Sequence, residues 1–105
     1  MTKKEEILAY LSSIRPKLES EGIEKLGLFG SYARENAGWG SDIDIVMHTT
    51  PRFLQVHPGW EALRVIEELR SSISHRFGGG RVDICDLSGL DDIKREKLLK
   101  EAIYV

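Results

Sequence analysis

The sequence predicts an α/β domain in which a small mixed β-sheet is flanked by helices. Apolar runs at residues 26–29, 42–47 and 82–87 have the length of strands, and segments with helical periodicity separate and flank them. Glycine-containing turns mark the changes between the two patterns. The expected order is helix, strand, helix, strand, helix, strand, helix. At 105 residues we expect one domain over residues 1–105.

The first helix begins with a capping-box spacing between Thr2 and Glu5. One apolar stripe follows at helical spacing, made of Ile7, Leu8, Leu11, Ile14 and Leu18. Pro16 lies within that stripe, so we expect the helix to end near Ile14 and a separate turn to start at the proline. After the strand at residues 26–29, turn residues predict a short helix at 31–35 and a loop at 36–41.

The segment 49–59 has two prolines and no clear period, so we expect an exposed connection. From Pro58 onward apolar residues recur at helical spacing and predict a helix with a core face. These residues are Trp60, Leu63, Ile66, Leu69, Ile73 and Phe77. Gly78-Gly79-Gly80 follows this helix and precedes a strand, the reverse of a phosphate-binding loop, so we interpret it as a helix C-cap.

A last helix is expected to start at Asp91-Asp92, because negative charge is favoured in a first turn. Its apolar side comprises Ile93, Leu98, Leu99, Ala102 and Ile103. Its basic residues are expected to form a solvated face with its own ion pairs, and they are Lys94, Arg95, Lys97 and Lys100. A further set is hard to place in a core and suggests a partner surface: Trp39, Phe53, Tyr104 and Val105.

Charge and composition exclude several classes of protein. The formal charge of −2 gives no overall attraction to nucleic acid, so we expect nucleic acid to be involved only indirectly. No apolar run approaches the ~20 residues that span a bilayer, so no membrane contact is expected. The single cysteine, Cys85, cannot form an internal disulfide, which is typical of a reducing cytoplasm. We therefore expect a cytoplasmic protein.

The stretch from Gly30-Ser31 to Asp42-Ile43-Asp44 carries the clearest chemical signal. Side chains alternate along a strand, so Asp42 and Asp44 share one face. Two carboxylates at this spacing repel each other unless a cation lies between them, and hard oxygen ligands suit Mg²⁺ or Mn²⁺. The backbone N–H groups of a Gly-Ser turn can bind phosphate. The pattern predicts a site for a metal-bound triphosphate.

Two-metal chemistry on phosphates commonly uses a third carboxylate, and the strand at residues 82–87 offers two. Val82 and Ile84 are expected to face the core, which places Asp83 on the opposite face with Cys85. Asp86 has the parity of the core positions but lies at the strand end, where it can cap a turn. Asp83 is therefore the better ligand.

Other candidate sites are weaker. His48, His57 and His75 have no zinc-ligand spacing with Cys85, and only His48 follows the second strand closely enough to be kept near the site. Gly30 alone could end a strand, Ser31 alone could cap a helix, and Arg34 could form a local salt bridge as readily as a phosphate contact.

The spacing Gly30-Ser31, ten residues, then Asp42-x-Asp44, with Asp83 on a later strand, resembles the DNA-polymerase-β-like nucleotidyltransferases. The short length and single-domain order resemble the minimal nucleotidyltransferases among them, which are often antitoxins encoded beside HEPN-type toxins. The resemblance covers nearly the whole chain, down to the terminal Leu98-Leu99-Lys100-Glu101-Ala102-Ile103-Tyr104-Val105. Members commonly carry glycine after the Ala-Arg pair, where this chain has Glu35.

The resemblance implies roles for seven residues. Asp42, Asp44 and Asp83 would bind two Mg²⁺ ions (or Mn²⁺), with Asp83 also acting as the base or positioning it. The nucleotide-binding set would be Gly30, Ser31, Arg34 and Ser41. The implied activity is transfer of AMP from ATP to a hydroxyl, most plausibly of a tyrosine, on a HEPN-type toxin. Two alternatives stay open, neutralisation of the partner by contact alone and nucleotidyl transfer to a small molecule or RNA end, and so does oligomerisation.

Overall fold

The computed structural model describes residues 2–38 and 40–105. Its elements in chain order are α1 (Lys3–Ser20), β1 (Ile23–Phe29), α2 (Gly30–Ala33), β2 (Ile43–Thr49), α3 (Pro51–Val56), α4 (Trp60–Arg76), β3 (Val82–Asp86), a 3₁₀ turn (Leu87–Gly89), α5 (Asp92–Glu101) and β4 (Ile103–Tyr104). Trp39, predicted in a loop and on a partner surface, lies outside the described residues. Within the described ranges, no helix combines the length and the apolar character needed to cross a membrane.

The four strands form one mixed sheet in the order β3-β2-β1-β4. β1 is antiparallel to β2 and to β4, whereas β2 and β3 run parallel. A parallel pair requires a long crossover, and α3 and α4 provide it. The predicted α/β class with a mixed sheet is confirmed.

One face of the sheet carries the hydrophobic core. On β2, Ile43, Ile45 and Met47 alternate toward this face and are almost fully buried. Helices α1 and α4 cover them with Ile7, Leu11, Leu69 and Ile73. Each such side chain contributes about 1.5–3 kcal/mol by leaving water. The alternation leaves the polar residues of β2 on the other face.

Helix α1 continues through Pro16 to Ser20, so the predicted break near Ile14 is wrong. The capping box is confirmed, because the Glu5 amide donates to Thr2 Oγ1 at 3.2 Å. A proline inside a helix costs about 3 kcal/mol. Beyond it, Leu18 is only 7% exposed, and burying this leucine offsets much of that cost.

The segment after β2 is also more ordered than predicted. Thr50 occupies the N-cap position of helix α3 and donates its hydroxyl to Gly22 O, Pro51 lies in the first turn, and Phe53 is buried in the core. A Cβ on Gly22 would lie 2.3 Å from the Phe53 amide nitrogen, so the turn before β1 packs directly on this helix. The helix is too short to show a period in sequence. Most of the segment is exposed, as predicted, but Pro51–Val56 is helical, and the prediction of Phe53 on a partner surface is wrong.

Helix α4 faces the core with Leu69, Ile73 and Phe77, as predicted, but the first turns of the predicted stripe are wrong. Trp60 is 85% exposed and Leu63 56% exposed, whereas Ala62 and Leu69 are buried. The core face therefore starts two residues after Trp60. The glycine tract caps the helix as predicted, since Gly78 adopts φ 94° and the Gly79 amide donates to Ser74 O at 2.7 Å.

The last residues form a strand, although the sequence predicted that they continue the final helix. Ala102 is extended, and Ile103 and Tyr104 pair with Leu28 and Gly27 of β1. A Cβ on Gly27 would lie 2.7 Å from Ile103 O, so only glycine permits this pairing without displacement. The Tyr104 hydroxyl donates to Leu98 O at 3.2 Å, which ties β4 back to α5.

Candidate active site

The predicted carboxylates come together on the sheet face opposite the main core. Asp44 lies directly across from Phe29 of β1 on one side and from Asp83 of β3 on the other. Residues paired across neighbouring strands point to the same face. Phe29, Asp44 and Asp83 therefore form one row across the sheet, which we call the catalytic row, and Asp42 lies just before the start of β2.

Gly30 joins β1 to α2 and makes room for Asp44. Its φ is +75°, a conformation that side chains other than glycine adopt at a cost. A Cβ at this position would lie 2.3 Å from Asp44 Oδ2. The Gly-Ser turn and the second strand thus touch, and the spacing seen in the sequence corresponds to a contact.

The Asp44 carboxylate is partly buried and has two acidic neighbours. Burial raises the pKa of its carboxyl above the ordinary value, and the neighbouring charges of Asp83 and Asp42 raise it further. Arg34 and Arg81 act in the opposite sense without cancelling the effect. A bound cation would relieve this repulsion.

Arg81 is a member of the site that the sequence prediction missed. Its Nε lies 3.3 Å from Asp83 Oδ1 and 3.9 Å from Asp42 Oδ2. Its carbonyl also accepts from the Ile43 amide at 3.0 Å, which aligns β3 with β2. The alternation that selected Asp83 would have found Arg81 two residues earlier, because both residues have the same parity.

The other predicted nucleotide-binding residues lie around the turn. Ser31 opens the first turn of α2, where backbone N–H groups have no helical partners. Arg34 forms no ion pair among the described residues, while Glu35 lies near Lys4 instead at 3.9 Å. Ser41 Oγ accepts from the Gly38 amide at 2.9 Å and so closes the loop before Asp42. The binding roles of these residues stay predictions.

Asp86 is the carboxylate that the sequence parity set aside as a metal ligand, and in the structure it is held by hydrogen bonds. Its Oδ1 accepts from the amides of Thr49 and Ser88 at 3.1 and 3.0 Å, and Oδ2 accepts from Thr49 Oγ1 at 2.5 Å. Burial alone would raise the pKa of Asp86, but these hydrogen bonds hold it below the ordinary value. Asp86 caps the 3₁₀ turn, as predicted for a residue at a strand end.

His48 does not belong to the site. It follows Asp44 by four residues along β2 and pairs with Lys25, so it lies ~13 Å along the strand from the catalytic row. The prediction that kept His48 near the site is wrong.

The residues of the catalytic row fit a divalent cation in chemistry. Asp44 and Asp83 of the row, with Asp42 just before β2, supply hard oxygen donors on one side of the sheet, and the pKa of Asp44 is raised by burial and then by its two acidic neighbours. In the described part of the chain, no three carboxylate, histidine or cysteine groups converge closely enough to coordinate an ion as they stand. The exposed Arg81 guanidinium lies near two of the carboxylates and contributes positive charge there.

Comparisons with known proteins agree with this geometry. Residues 6–104 match the family model described as a nucleotidyltransferase domain. A curated relative, the protein adenylyltransferase MntA of Thermococcus cleftensis, is 30% identical over 102 residues, covering 96% of this chain and 94% of its own.

Solved structures match as well. One described as a candidate minimal nucleotidyltransferase superposes with a TM-score of 0.69 at 28% identity, covering 97% of this chain and 95% of its own. A toxin–antitoxin complex with AMP-PNP matches with a TM-score of 0.60 at 19% identity, over 89% of this chain and 69% of that chain. The second likeness shows a shared fold.

Proposed function

The chain belongs to the nucleotidyltransferase family, and from that premise we propose that it transfers AMP from ATP to a hydroxyl group of a toxin protein. The support for a protein acceptor is the 30% identity to a protein adenylyltransferase along almost the whole length of both chains. We further propose a HEPN-type toxin as the partner and a tyrosine hydroxyl as the acceptor. The observation that carries the proposal is the catalytic row in contact with the Gly30 turn.

In this reaction the acceptor oxygen forms a bond to the α-phosphorus of ATP while the bond from that phosphorus to the bridging oxygen breaks. Pyrophosphate leaves with the electron pair of that bond. Asp83 lies at the end of the row on β3, the edge strand, and accepts the hydroxyl proton or positions the group that does. Ser31 and the first turn of α2 bind the β- and γ-phosphates, and Arg34 adds positive charge beside Asp44.

Magnesium ions are the proposed cofactor, held by Asp42, Asp44 and Asp83. When bound, they would neutralise the charge that develops on the phosphate oxygens. The chain's own contribution is the placement of three carboxylates on one rigid sheet face. Gly30 keeps the phosphate-binding turn against the middle carboxylate.

The direct test uses the protein, Mg²⁺ and a HEPN-type toxin encoded beside it, with ATP labelled at either the α- or the γ-phosphorus. We expect the toxin to acquire the α-label and not the γ-label. The other three nucleotides, tested in the same way, report base preference. Absence of transfer from all four nucleotides would contradict the proposal.

An Asp42→Asn, Asp44→Asn double variant separates catalysis from neutralisation by contact. If the toxin is silenced by modification, the double variant loses both transfer and neutralisation. Asp92→Asn is the matched control, because this aspartate is exposed at the start of α5. Neutralisation that survives in the double variant would favour contact alone.

A further inference from the structure

A cleft of about 380 Å³ lies between the catalytic row and helix α5. Phe29, Gly30 and Arg34 line one side, Cys85 lies on the sheet between the two sides, and α5 forms the other side. This volume falls in the range typical of small-molecule sites. The function proposed above assigns nothing to α5.

The cleft is continuous with the site already described. Gly30 lines the cleft and is the residue that touches Asp44. Phe29 is the first residue of the catalytic row. Cys85 pairs with Val46, so it lies on the same sheet face one row farther along. A ligand with its phosphates at the Gly30 turn can therefore extend directly into this cleft.

Helix α5 contributes a single stripe to the cleft: Lys94, Lys97, Leu98 and Glu101. These positions are spaced three or four residues apart and so share one helical face. Leu90, just before the helix, extends the apolar part of the lining. Apolar side chains thus lie next to two ammonium groups, and Arg34 adds a guanidinium from the opposite side.

This combination suits a ligand that is flat and apolar at one end and polyanionic at the other. The base of a nucleotide can pack on Phe29, Leu90 and Leu98, while phosphates carry the negative charge that lysines bind. With Arg34, Lys94 and Lys97 against the carboxylate of Glu101, the lining is cationic in a chain whose formal charge is −2. Lys94 also acts on the thiol of Cys85 electrostatically, which places its charge close to the sheet.

We infer that α5 is the second wall of the nucleotide site: the nucleotide base occupies the apolar part of the cleft, and Lys94 and Lys97 act with Arg34 on the phosphates. The inference rests on the proposed function for the identity of the ligand. It changes the prediction that these two lysines belong to a merely solvated helix face.

Cys85 supplies a built-in reporter, because it is the single cysteine of the sequence. The test measures its alkylation by iodoacetamide with Mg²⁺ and the α,β-methylene analogue of ATP, which cannot transfer AMP. We expect alkylation to slow at least several-fold at saturating analogue. Cys85→Ala reports labelling elsewhere. An unchanged rate, with binding of the analogue verified by calorimetry, would overturn the placement of the ligand.

The charges are tested with a Lys94→Ala, Lys97→Ala double variant. We expect it to bind the analogue roughly 10-fold more weakly, with a shallower salt dependence and unchanged affinity for adenosine, which has no phosphates. Lys100→Ala is the matched control, because this lysine is exposed on α5 outside the cleft lining. Equal affinities of the double variant and the control would overturn the role of the lysines.

The two proposals can fail separately. Transfer of AMP that is indifferent to the double variant, with Cys85 unprotected, would leave the proposed function standing and remove the role of α5. Protection of Cys85 by the analogue without any transfer of AMP would support the role of α5 in binding and contradict the proposed function.

Discussion

The two ends of the β2–β3 pair each hold a partly buried aspartate, and the two aspartates are treated in opposite ways. Asp86 accepts hydrogen bonds from Thr49 and Ser88, and its pKa is lowered. Asp44 faces Asp83 across the sheet, and its pKa is raised by burial and then by its acidic neighbours. The Asp86 carboxylate is thus stabilised by hydrogen bonds within the protein. The Asp44 carboxylate instead lies beside two further carboxylates, and a bound cation would stabilise it.

Backbone conformation follows the same division. Beside Asp44 the chain turns through Gly30 at φ +75° and through Glu35 at φ 61°, the latter being the described non-glycine residue with positive φ. Beside Asp86 the chain enters a capped 3₁₀ turn. A glycine with positive φ also lies near the Asp86 end, where Gly22 precedes β1 at φ 99°, so the strained non-glycine residue Glu35 is what distinguishes the end that carries the catalytic row.

For a single substitution, the largest effect that we predict at the catalytic end is that of Gly30→Ala. The new methyl group would overlap Asp44 Oδ2, so we expect transfer to fall about 100-fold, the scale expected for a displacement of roughly 1 Å at reacting groups. Gly78→Ala is the matched control: φ is +94° there, but no heavy atom lies within 4 Å of the added Cβ. Equal loss of activity in the two variants would mean that backbone strain, rather than contact with Asp44, is responsible.

At the other end we expect Asp86→Asn to destabilise the fold by about 1–3 kcal/mol, because the Nδ2 group that replaces Oδ2 cannot accept from the Thr49 hydroxyl, although Oδ1 can still accept from the Thr49 and Ser88 amides. Urea unfolding at neutral pH measures this. Transfer per folded molecule is expected to stay close to that of the unchanged protein. A variant as stable as the parent would contradict the structural role of Asp86.

Asp44→Asn is expected to leave the metal-free protein as stable or to stabilise it by less than about 1 kcal/mol, since solvent screens the repulsion that it removes. The pH dependence has a definite sign. A raised pKa means that the folded state binds the proton more tightly, so the contribution of Asp44 to stability falls as pH rises from the ordinary value of 3.8 through the raised pKa.

Asp86 contributes in the opposite direction, because its stabilisation is present above the ordinary pKa and is lost as pH falls through the lowered one. Unfolding curves of the parent, Asp44→Asn and Asp86→Asn proteins, measured without metal across the acid range, separate the two contributions. Identical pH profiles for the parent and Asp44→Asn proteins would refute the account of Asp44.

A comparably small effect is predicted for Glu35. Glycine adopts φ 61° without strain, whereas glutamate is strained there. Relief of this strain stabilises the folded state slightly more than the greater chain entropy of glycine stabilises the unfolded state. We expect Glu35→Gly to stabilise the protein by up to about 1 kcal/mol, and Glu35→Val to destabilise it, because β-branching worsens the strain. Thermal unfolding measures both, and a loss of stability in the glycine variant would contradict the prediction.

The sequence predicted the parts of the site that depend on local alternation. Parity along β3 selected Asp83 and set Asp86 aside, and the register places Asp83 opposite Asp44. Arg81 has the same parity as Asp83. It was missed because the sequence was searched for carboxylates that bind a metal, and not for a basic side chain beside them. The motif places Gly30 and Asp44 at a fixed spacing. The structure adds the physical reason for the glycine, because a Cβ at Gly30 would overlap Asp44 Oδ2 once the two strands are paired.

Features that depend on distant parts of the chain could not be predicted. Strand β4 forms because Gly27, far away in sequence, leaves space for Ile103 and Tyr104. The exposure of Trp60 depends on which stripe of α4 meets the sheet, and the apolar spacing fitted either stripe. The cleft beside α5 likewise exists only after helix and sheet have been brought together.

The parallel pairing of β2 with β3 also sets the time at which the catalytic row is completed. Chains are made from the N-terminus, and contacts between distant segments form late. A nascent chain that has emerged only through β2 holds Asp42 and Asp44 but has no Asp83 beside them, since the α3–α4 crossover must be synthesised first. The proposed transfer, if it needs Asp83, therefore cannot precede synthesis of the third strand, and translation stalled within the crossover would yield a chain that lacks the third carboxylate.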